Sequence, residues 1–199
     1  LVAGSSLGAR AVLHERSEEL LRIQTTLTTE QVALRLEEFV EARLSHVHAL
    51  QDHWSEGAIT NEVDFQRHVI GLRRNVTGLV AVNWVDNEGV IRWVVPPGPN
   101  AAARGRSVSQ HPIAGPILAE AKRTGQLRLS PPLTLFQGGR GFTAYAPLLR
   151  PDGQPGGSVN AVFRTQPLLE LCLRQERAQG FEFSIRDGEG LVYESLSEQ

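Results

Sequence analysis

The sequence contains very little sulfur, with one cysteine among its 199 residues and no methionine. A single cysteine excludes an internal disulfide and a zinc site built on several thiolates. Cys172 lies in the apolar triplet Leu171-Cys172-Leu173, which is typical of a small buried side chain rather than a nucleophile. Because even an initiator methionine is missing, we expect the chain to be a piece of a longer protein.

Long apolar runs and a concentration of one charge are missing as well. No stretch approaches the ~20 apolar residues that a membrane-spanning helix needs, so any span of the parent protein is expected outside this piece. The net charge is -2 and the opposite charges are interspersed, which argues against a nucleic-acid partner because phosphate binding needs a concentrated positive field. With 41% hydrophobic residues, the chain can still fill a packed core.

The sequence also lacks the motifs of common enzymes and cofactor sites. None of its six histidines is paired at the i, i+4 spacing of a helical metal site. Residues 139–144 fit the G-x-G-x-x-A pattern, but Tyr145-Ala146-Pro147 continues a strand where dinucleotide binding requires a helix. We therefore predict that this chain is not an enzyme and holds no metal or cofactor.

The first quarter of the sequence has the periodicity of a long helix. Residues 9–56 contain no proline, and apolar residues recur every three or four positions from Leu36 to Trp54. Thr28 and Gln31 match a capping box, which would begin a fresh helix there. An earlier stripe has a seven-residue period that favours either a partner helix or packing on the helix's own domain. Its members are Leu13, Leu20, Leu27 and Leu34.

The remaining sequence alternates strand patterns with shorter helix patterns, bounded by glycine and proline turns. A short helix carries Phe65 and Val69 on one face, and two further helices are predicted at 112–123 and 166–177. Strands are predicted at 79–85, 90–95, 127–129, 133–136, 142–149, 158–165, 181–186 and 191–195. This order is typical of an α+β fold. We predict a long N-terminal helix carrying a PAS-like antiparallel sheet with crossover helices, followed by the start of a second small sheet.

Three segments taken together resemble the CHASE sensor domain, and the resemblance covers about residues 30–195. The segments are Thr124-Gly125 with 129–133, then 141–148, then Gly157 with Phe163-Arg164 and Leu168-Leu169. This family is a membrane-anchored ligand sensor that dimerises through its long helices. The resemblance thus implies a periplasmic or extracellular small-molecule sensor of a bacterial receptor, such as a sensor histidine kinase or a diguanylate cyclase. The alternative is a ligand-free PAS-like module for dimerisation or protein interaction.

The resemblance also suggests a division of the chain. Residues 1–56 would form the long helix and a possible stalk of a homodimer. Residues 57–165 would form the membrane-distal PAS-like sensor subdomain. Residues 166–199 would supply a linking helix and the first hairpin of an incomplete membrane-proximal subdomain.

Five residues are candidates for ligand binding. In cytokinin-binding members of the family, the pocket is lined by a threonine two residues before a strand proline and by a leucine in the preceding strand. Tyr145 matches the threonine, and Leu135 matches the leucine. Because tyrosine fills more volume than threonine, a cytokinin-like adenine ligand is not expected. Thr143 faces the same side of its strand as Tyr145, and Trp93 could complete a mostly apolar lining, although ordinary core packing explains these residues too. Arg104 could bind a carboxylate, or be an ordinary surface arginine.

Overall fold

The first element is one continuous helix. In the computed structural model, which describes residues 3–73, 76, 78–174, 182–187 and 190–195, helix α1 spans Ala3–Ser55. The new helix start expected at Thr28 was wrong. The Thr29 hydroxyl donates instead to the backbone carbonyl of Thr25 at 2.8 Å, a bond that a threonine makes within a helix. Gly57, with a φ of 78°, follows the end of α1 in the left-handed conformation that glycine adopts readily.

The chain divides into two compact units, Leu1–Val40 and Glu41–Gln199. The second unit contains the end of α1 and is built on a six-stranded antiparallel sheet. Its order is β2-β1-β6-β5-β3, with β4 also paired to β5, so the first and last strands of the sheet meet at its centre. The strands are β1 Leu79–Val85, β2 Ile91–Val95, β3 Arg128–Leu129, β4 Leu133–Thr134, β5 Arg140–Leu149 and β6 Pro155–Arg164. The predicted PAS-like α+β fold is confirmed.

Within the described residues, four shorter helices and a second small sheet complete the fold. Strands β7 Ser184–Asp187 and β8 Gly190–Glu194 form the two-stranded sheet expected near the end of the sequence. A short helix and a 3-10 turn, Ala101–Ala103, lie between the predicted strand 90–95 and the predicted helix 112–123, where the sequence predicts a loop. The buried amide of Asn100 holds this segment by donating to the carbonyls of Val80 and Pro96. The helices are α2 Glu62–Arg73, α3 Pro97–Asn100, α4 Ala114–Thr124 and α5 Thr165–Cys172.

Apolar side chains of the helices pack against both faces of the sheet. On one face, Trp84 and Trp93 stack with ring centroids 4.3 Å apart and contact Trp54 of α1 and Phe65 of α2. On the other face, the buried side of α4 packs on β5 and β3. The core on that side includes Val85, Val94, Ala114, Leu118, Ala121, Tyr145 and Val162. The two faces therefore have separate apolar cores, and the candidate pocket lies on the α4 side.

Candidate functional site

A small cavity lies between the sheet and the start of α4. Its volume is about 10 Å³, which is room for about one water molecule. Three of the five predicted ligand residues line it, namely Leu135, Thr143 and Tyr145. The alternation of side chains along β5 explains why Thr143 and Tyr145 point the same way. The rest of the lining is His111, Ala114, Leu133, Thr134, Phe136, Gln137, Asn160 and Val162.

Tyr145 is the largest side chain at this cavity, and it is only 2% exposed. Burial raises the pKa of its phenol to about 12, and a hydrogen bond with the side chain of Thr143 opposes that shift only partly. The phenol therefore stays neutral even near pH 10, where an exposed tyrosine is half ionised. The Thr143 hydroxyl in turn lies 3.2 Å from the Oγ of Ser130, which also accepts the Thr143 N–H. A connected set of hydroxyl groups thus borders the apolar floor of the cavity.

The structure does not bring Trp93 and Arg104 to this cavity. Trp93 is adjacent in β2 to Val94, which belongs to the α4-side core, so alternation places Trp93 on the opposite face with the other tryptophans. Arg104 forms an ion pair with Glu62 at the start of α2, and its side chain is 47% exposed. The lining that we expected from Leu135, Thr143, Tyr145 and Trp93 together is therefore split between the two faces of the sheet.

A pair of buried asparagines, which was not predicted from the sequence, adjoins the cavity. Asn83 and Asn160 are 0% and 3% exposed, and the Asn83 amide donates to the Asn160 carbonyl at 2.8 Å. Asn160 lines the cavity and is the strand partner of Tyr145. Asparagine is depleted in strands. The signal available in the sequence was therefore an asparagine in the middle of each of two apolar strands.

The lining is close to uncharged. Its titratable members are His111 and Tyr145, and the lining residues include no carboxylate, ammonium or guanidinium group. The Nδ1 atom of His111 accepts the backbone N–H groups of Ile113 and Ala114 at 3.2 and 3.1 Å. His111 thus caps the start of α4, which satisfies two N–H groups that a helix leaves unpaired. In the described ranges, no group of three or more His, Cys, Asp and Glu side chains is arranged to hold a metal ion.

A larger and more open cleft lies at the other end of α4. Its volume is about 780 Å³, and it is bordered by the end of α1, the end of α4 and the turn between β5 and β6. Lys122, the only lysine of the sequence, contributes to it and donates to the carbonyl of Asn87 at 2.9 Å. Burial lowers the pKa of Lys122, and the carboxylates of Asp86 and Glu88 oppose that shift. None of the five ligand residues predicted from the sequence lines this cleft.

Comparison with protein-family models matches residues 41–196 of the sequence to the CHASE domain. The chain belongs to the CHASE domain family. The match begins at the residue where the second compact unit begins, so it includes the sheet, both candidate sites and the end of α1. The resemblance found in the sequence is therefore confirmed, and it supports an extracytoplasmic sensor domain.

Solved structures share the fold of this CHASE domain. An extracellular ligand binding receptor from Desulfohalobium retbaense DSM5692 is 20% identical with a TM-score of 0.61, over 73% of this chain and 26% of that one. The ligand binding domain of the Pseudomonas aeruginosa PAO1 amino acid chemoreceptor PctC, in complex with GABA, is 16% identical with a TM-score of 0.61. That match covers 81% of this chain and 70% of the chemoreceptor domain. A search of the curated proteins found no match.

The chain spans about a quarter of the Desulfohalobium receptor structure that it matches. Over the described part of the chain, none of the helices combines the length and the apolar character that crossing a bilayer requires.

Proposed function

We propose that this CHASE domain is the small-molecule sensing domain of a bacterial membrane receptor, whose output domain is a histidine kinase or a diguanylate cyclase. The observation that carries the proposal is the convergence of Leu135, Thr143 and Tyr145 on one cavity with a mixed lining. Ligand pockets are mostly apolar with a few placed polar groups, and this lining has that composition. The proposed location is the periplasmic or extracellular face of the inner membrane.

Ligand entry requires the cavity to widen, because its present volume is about that of one water molecule. The segment best placed to move is β4 with the turn that follows it. Strand β4 is two residues long and pairs with β5 only through Leu133 with Gly141 and Thr134 with Arg140. Gly138 and Gly139, both with positive φ, form the adjoining turn. Opening this edge breaks few backbone hydrogen bonds, which makes it a low-cost local motion.

A direct contact connects the pocket strand with α1. The side-chain amide of Gln51 in α1 donates to the carbonyl of Pro147 in β5 at 2.7 Å. Pro147 lies two residues beyond Tyr145 in the same strand. A ligand that displaces β5 at Tyr145 therefore changes the contact that β5 makes with the end of α1. This is the proposed route from ligand binding to the helix.

The proposal is tested by a metabolite screen for compounds that raise the melting temperature. A ligand that binds only the folded state stabilises it by RT ln(1 + [L]/Kd), about 2.7 kcal/mol at a hundredfold excess over Kd. For a hit that bonds the phenol, Tyr145→Phe should weaken binding about 2- to 10-fold, because one hydroxyl is lost and the ring stays. Lys122→Gln in the larger cleft is the matched control and should bind as the wild type does.

The screen also separates the alternatives. A hit that is lost in Lys122→Gln and kept in Tyr145→Phe would assign the ligand to the larger cleft and reject the Tyr145 cavity. If no metabolite raises the melting temperature at millimolar concentration, the ligand-free module for dimerisation or protein interaction becomes the better interpretation. The exposed apolar side chains of α1 favour self-association in either case. Ile23, Leu27 and Leu34 are 51%, 53% and 62% exposed.

A further inference from the structure

Three polar side chains on the sheet are arranged in a row that points toward α4. Tyr145 on β5 is the register partner of Asn160 on β6, and Asn160 is the register partner of Asn83 on β1. Neighbouring strands lie ~4.8 Å apart, so the row continues from Tyr145 and Asn160, which line the cavity, to Asn83 on the next strand. A polar row in the middle of an apolar sheet is costly unless its hydrogen-bonding capacity is used.

Much of that capacity is unused in the described part of the structure. Asn83 and Asn160 share one hydrogen bond, and the Oδ1 of Asn83 and the Nδ2 of Asn160 are buried without another partner. Exchanging oxygen and nitrogen in both side chains keeps this bond and again leaves one donor and one acceptor free. The Oγ of Ser158 and the Nε2 of Gln137 are also buried without a partner near this row. Buried unpaired polar atoms are rare, so each of these atoms needs a partner, which an ordered water or a ligand that displaces it would supply.

The charge of the surroundings restricts what that molecule presents. A carboxylate offers acceptors only, so it would leave the free asparagine oxygen facing a negative charge. Burying a charge without an ionic partner is costly, and the described lining holds no fixed cation for an anion and no carboxylate for an ammonium. A neutral group with a donor beside an acceptor matches both free asparagine atoms.

We propose that the sensing pocket extends to Asn83 and Asn160 and recognises a neutral planar group with a hydrogen-bond donor beside an acceptor, such as a carboxamide, a urea or a lactam. This inference rests on the proposed sensing function and adds the chemical class of the ligand. It separates this domain from a receptor for zwitterions, whose ligands carry a buried carboxylate and ammonium.

The first experiment uses probe pairs that share a shape and differ in this group. Melting curves of the wild type are recorded with benzamide against benzoate and with nicotinamide against nicotinate, all at millimolar concentration. The proposal expects the amides to raise the melting temperature and the carboxylates to leave it unchanged. A rise in melting temperature with the carboxylates would overturn the ligand class. The same holds if neither member of a pair raises it while the metabolite screen yields a hit at Tyr145. Both results would leave the sensing function standing. Failure of the probes and of the whole screen would reject both.

The second experiment removes the asparagine pair. In Asn83→Leu with Asn160→Leu, both partners become apolar groups of similar size, which is close to neutral for stability when no network depends on them. The expected result is an unchanged or higher melting temperature and amide binding weakened roughly tenfold or more. Thr165→Val is the matched control, since it removes another buried unpaired hydroxyl outside the pocket lining and should keep the amide response.

A spectroscopic measurement on the wild type covers the case in which the double variant does not fold. The side-chain amide resonances of Asn83 and Asn160 should move when benzamide is titrated and stay in place with benzoate. Resonances that stay fixed under both titrations would refute the proposal. A folded double variant that still responds to benzamide would refute it as well, because the amide group would then be recognised elsewhere.

Discussion

At the scale of single residues, Tyr145 decides both the size and the polarity of the candidate pocket. Its ring fills the space under α4, which accounts for a cavity of only about 10 Å³. Burial raises the pKa of its phenol to about 12, so the hydroxyl stays protonated even near pH 10, where an exposed tyrosine ionises. A neutral hydroxyl beside Thr143 can donate or accept, which suits the neutral class of ligand proposed above.

The ionisation of Tyr145 predicts a loss of stability in alkali. The folded pKa of about 12 lies above the ordinary value of 10.0, so this stabilisation is complete below pH 10 and is lost as pH rises toward 12. Over that range the unfolded chain releases the phenol proton first, and the slope reaches up to about 1.4 kcal/mol per pH unit. Urea unfolding across the range should show a shallower decline for Tyr145→Phe than for the wild type. Equal slopes would mean that this phenol does not ionise differently in the two states.

At the scale of elements, the β5–β6 hairpin depends on a close approach of backbone and tryptophan. The indole N–H of Trp84 donates to the carbonyl of Gly156 at 2.9 Å. Gly157 has a φ of 91°, and a Cβ there would lie 2.3 Å from the carbonyl oxygen of Val85 and 2.9 Å from the Trp84 nitrogen. The glycine therefore lets the hairpin lie against the tryptophan cluster that joins α1 to the sheet.

Gly157→Ala should destabilise the domain by about 2 kcal/mol or more, because it combines a positive φ with a clash against backbone. Gly153→Ala is the matched control: its φ is 78°, but a Cβ there meets no atom within 4 Å. Denaturant unfolding, monitored by tryptophan fluorescence, should show the larger loss of unfolding free energy for Gly157→Ala. The fluorescence emission of the native state should also change in that variant. Equal losses in the two variants would show that the close approach contributes nothing beyond backbone strain.

At the scale of the whole molecule, the long helix has a surface that the chain itself leaves exposed. Ile23, Leu27 and Leu34 are more than half exposed, although they are large and apolar. The seven-residue step from Leu27 to Leu34 is the spacing of helix pairing. The compact unit that carries the pocket begins at Glu41, beyond these residues. We therefore propose that residues 1–35 contribute to dimerisation more than to the folding of the sensor.

Removing residues 1–35 should yield a folded monomer by sedimentation, while the full chain forms a dimer at high concentration. Leu27→Glu with Leu34→Glu should weaken the dimer in the same way, because it places charges at the paired positions. Arg22→Gln with Thr29→Glu lowers the net charge by the same two units at the same seven-residue spacing, but on the opposite side of the helix, and should leave the dimer intact. A truncated protein that dimerises as well as the full chain would place the interface elsewhere.

Local patterns in the sequence determined most of the elements and part of the pocket. Proline-free periodicity predicted α1, and alternation in β5 predicted that Thr143 and Tyr145 share a face, because both features depend on residues close in sequence. The segment at Asn100 was the exception. It was predicted as a loop, but its helical turns are held through a contact with Val80, twenty residues away.

Tertiary structure alone decided which residues meet at the site. Strand pairing placed Trp93 on the face opposite Tyr145, and Arg104 found its partner in Glu62, 42 residues earlier. The Asn83–Asn160 pair joins residues 77 positions apart, through strands that become neighbours only when β6 returns to the centre of the sheet. Periodicity shows which side of its own strand a residue faces, whereas pairing between distant strands depends on the packing of the whole sheet. That is why the polar row of the pocket could not be predicted from the sequence.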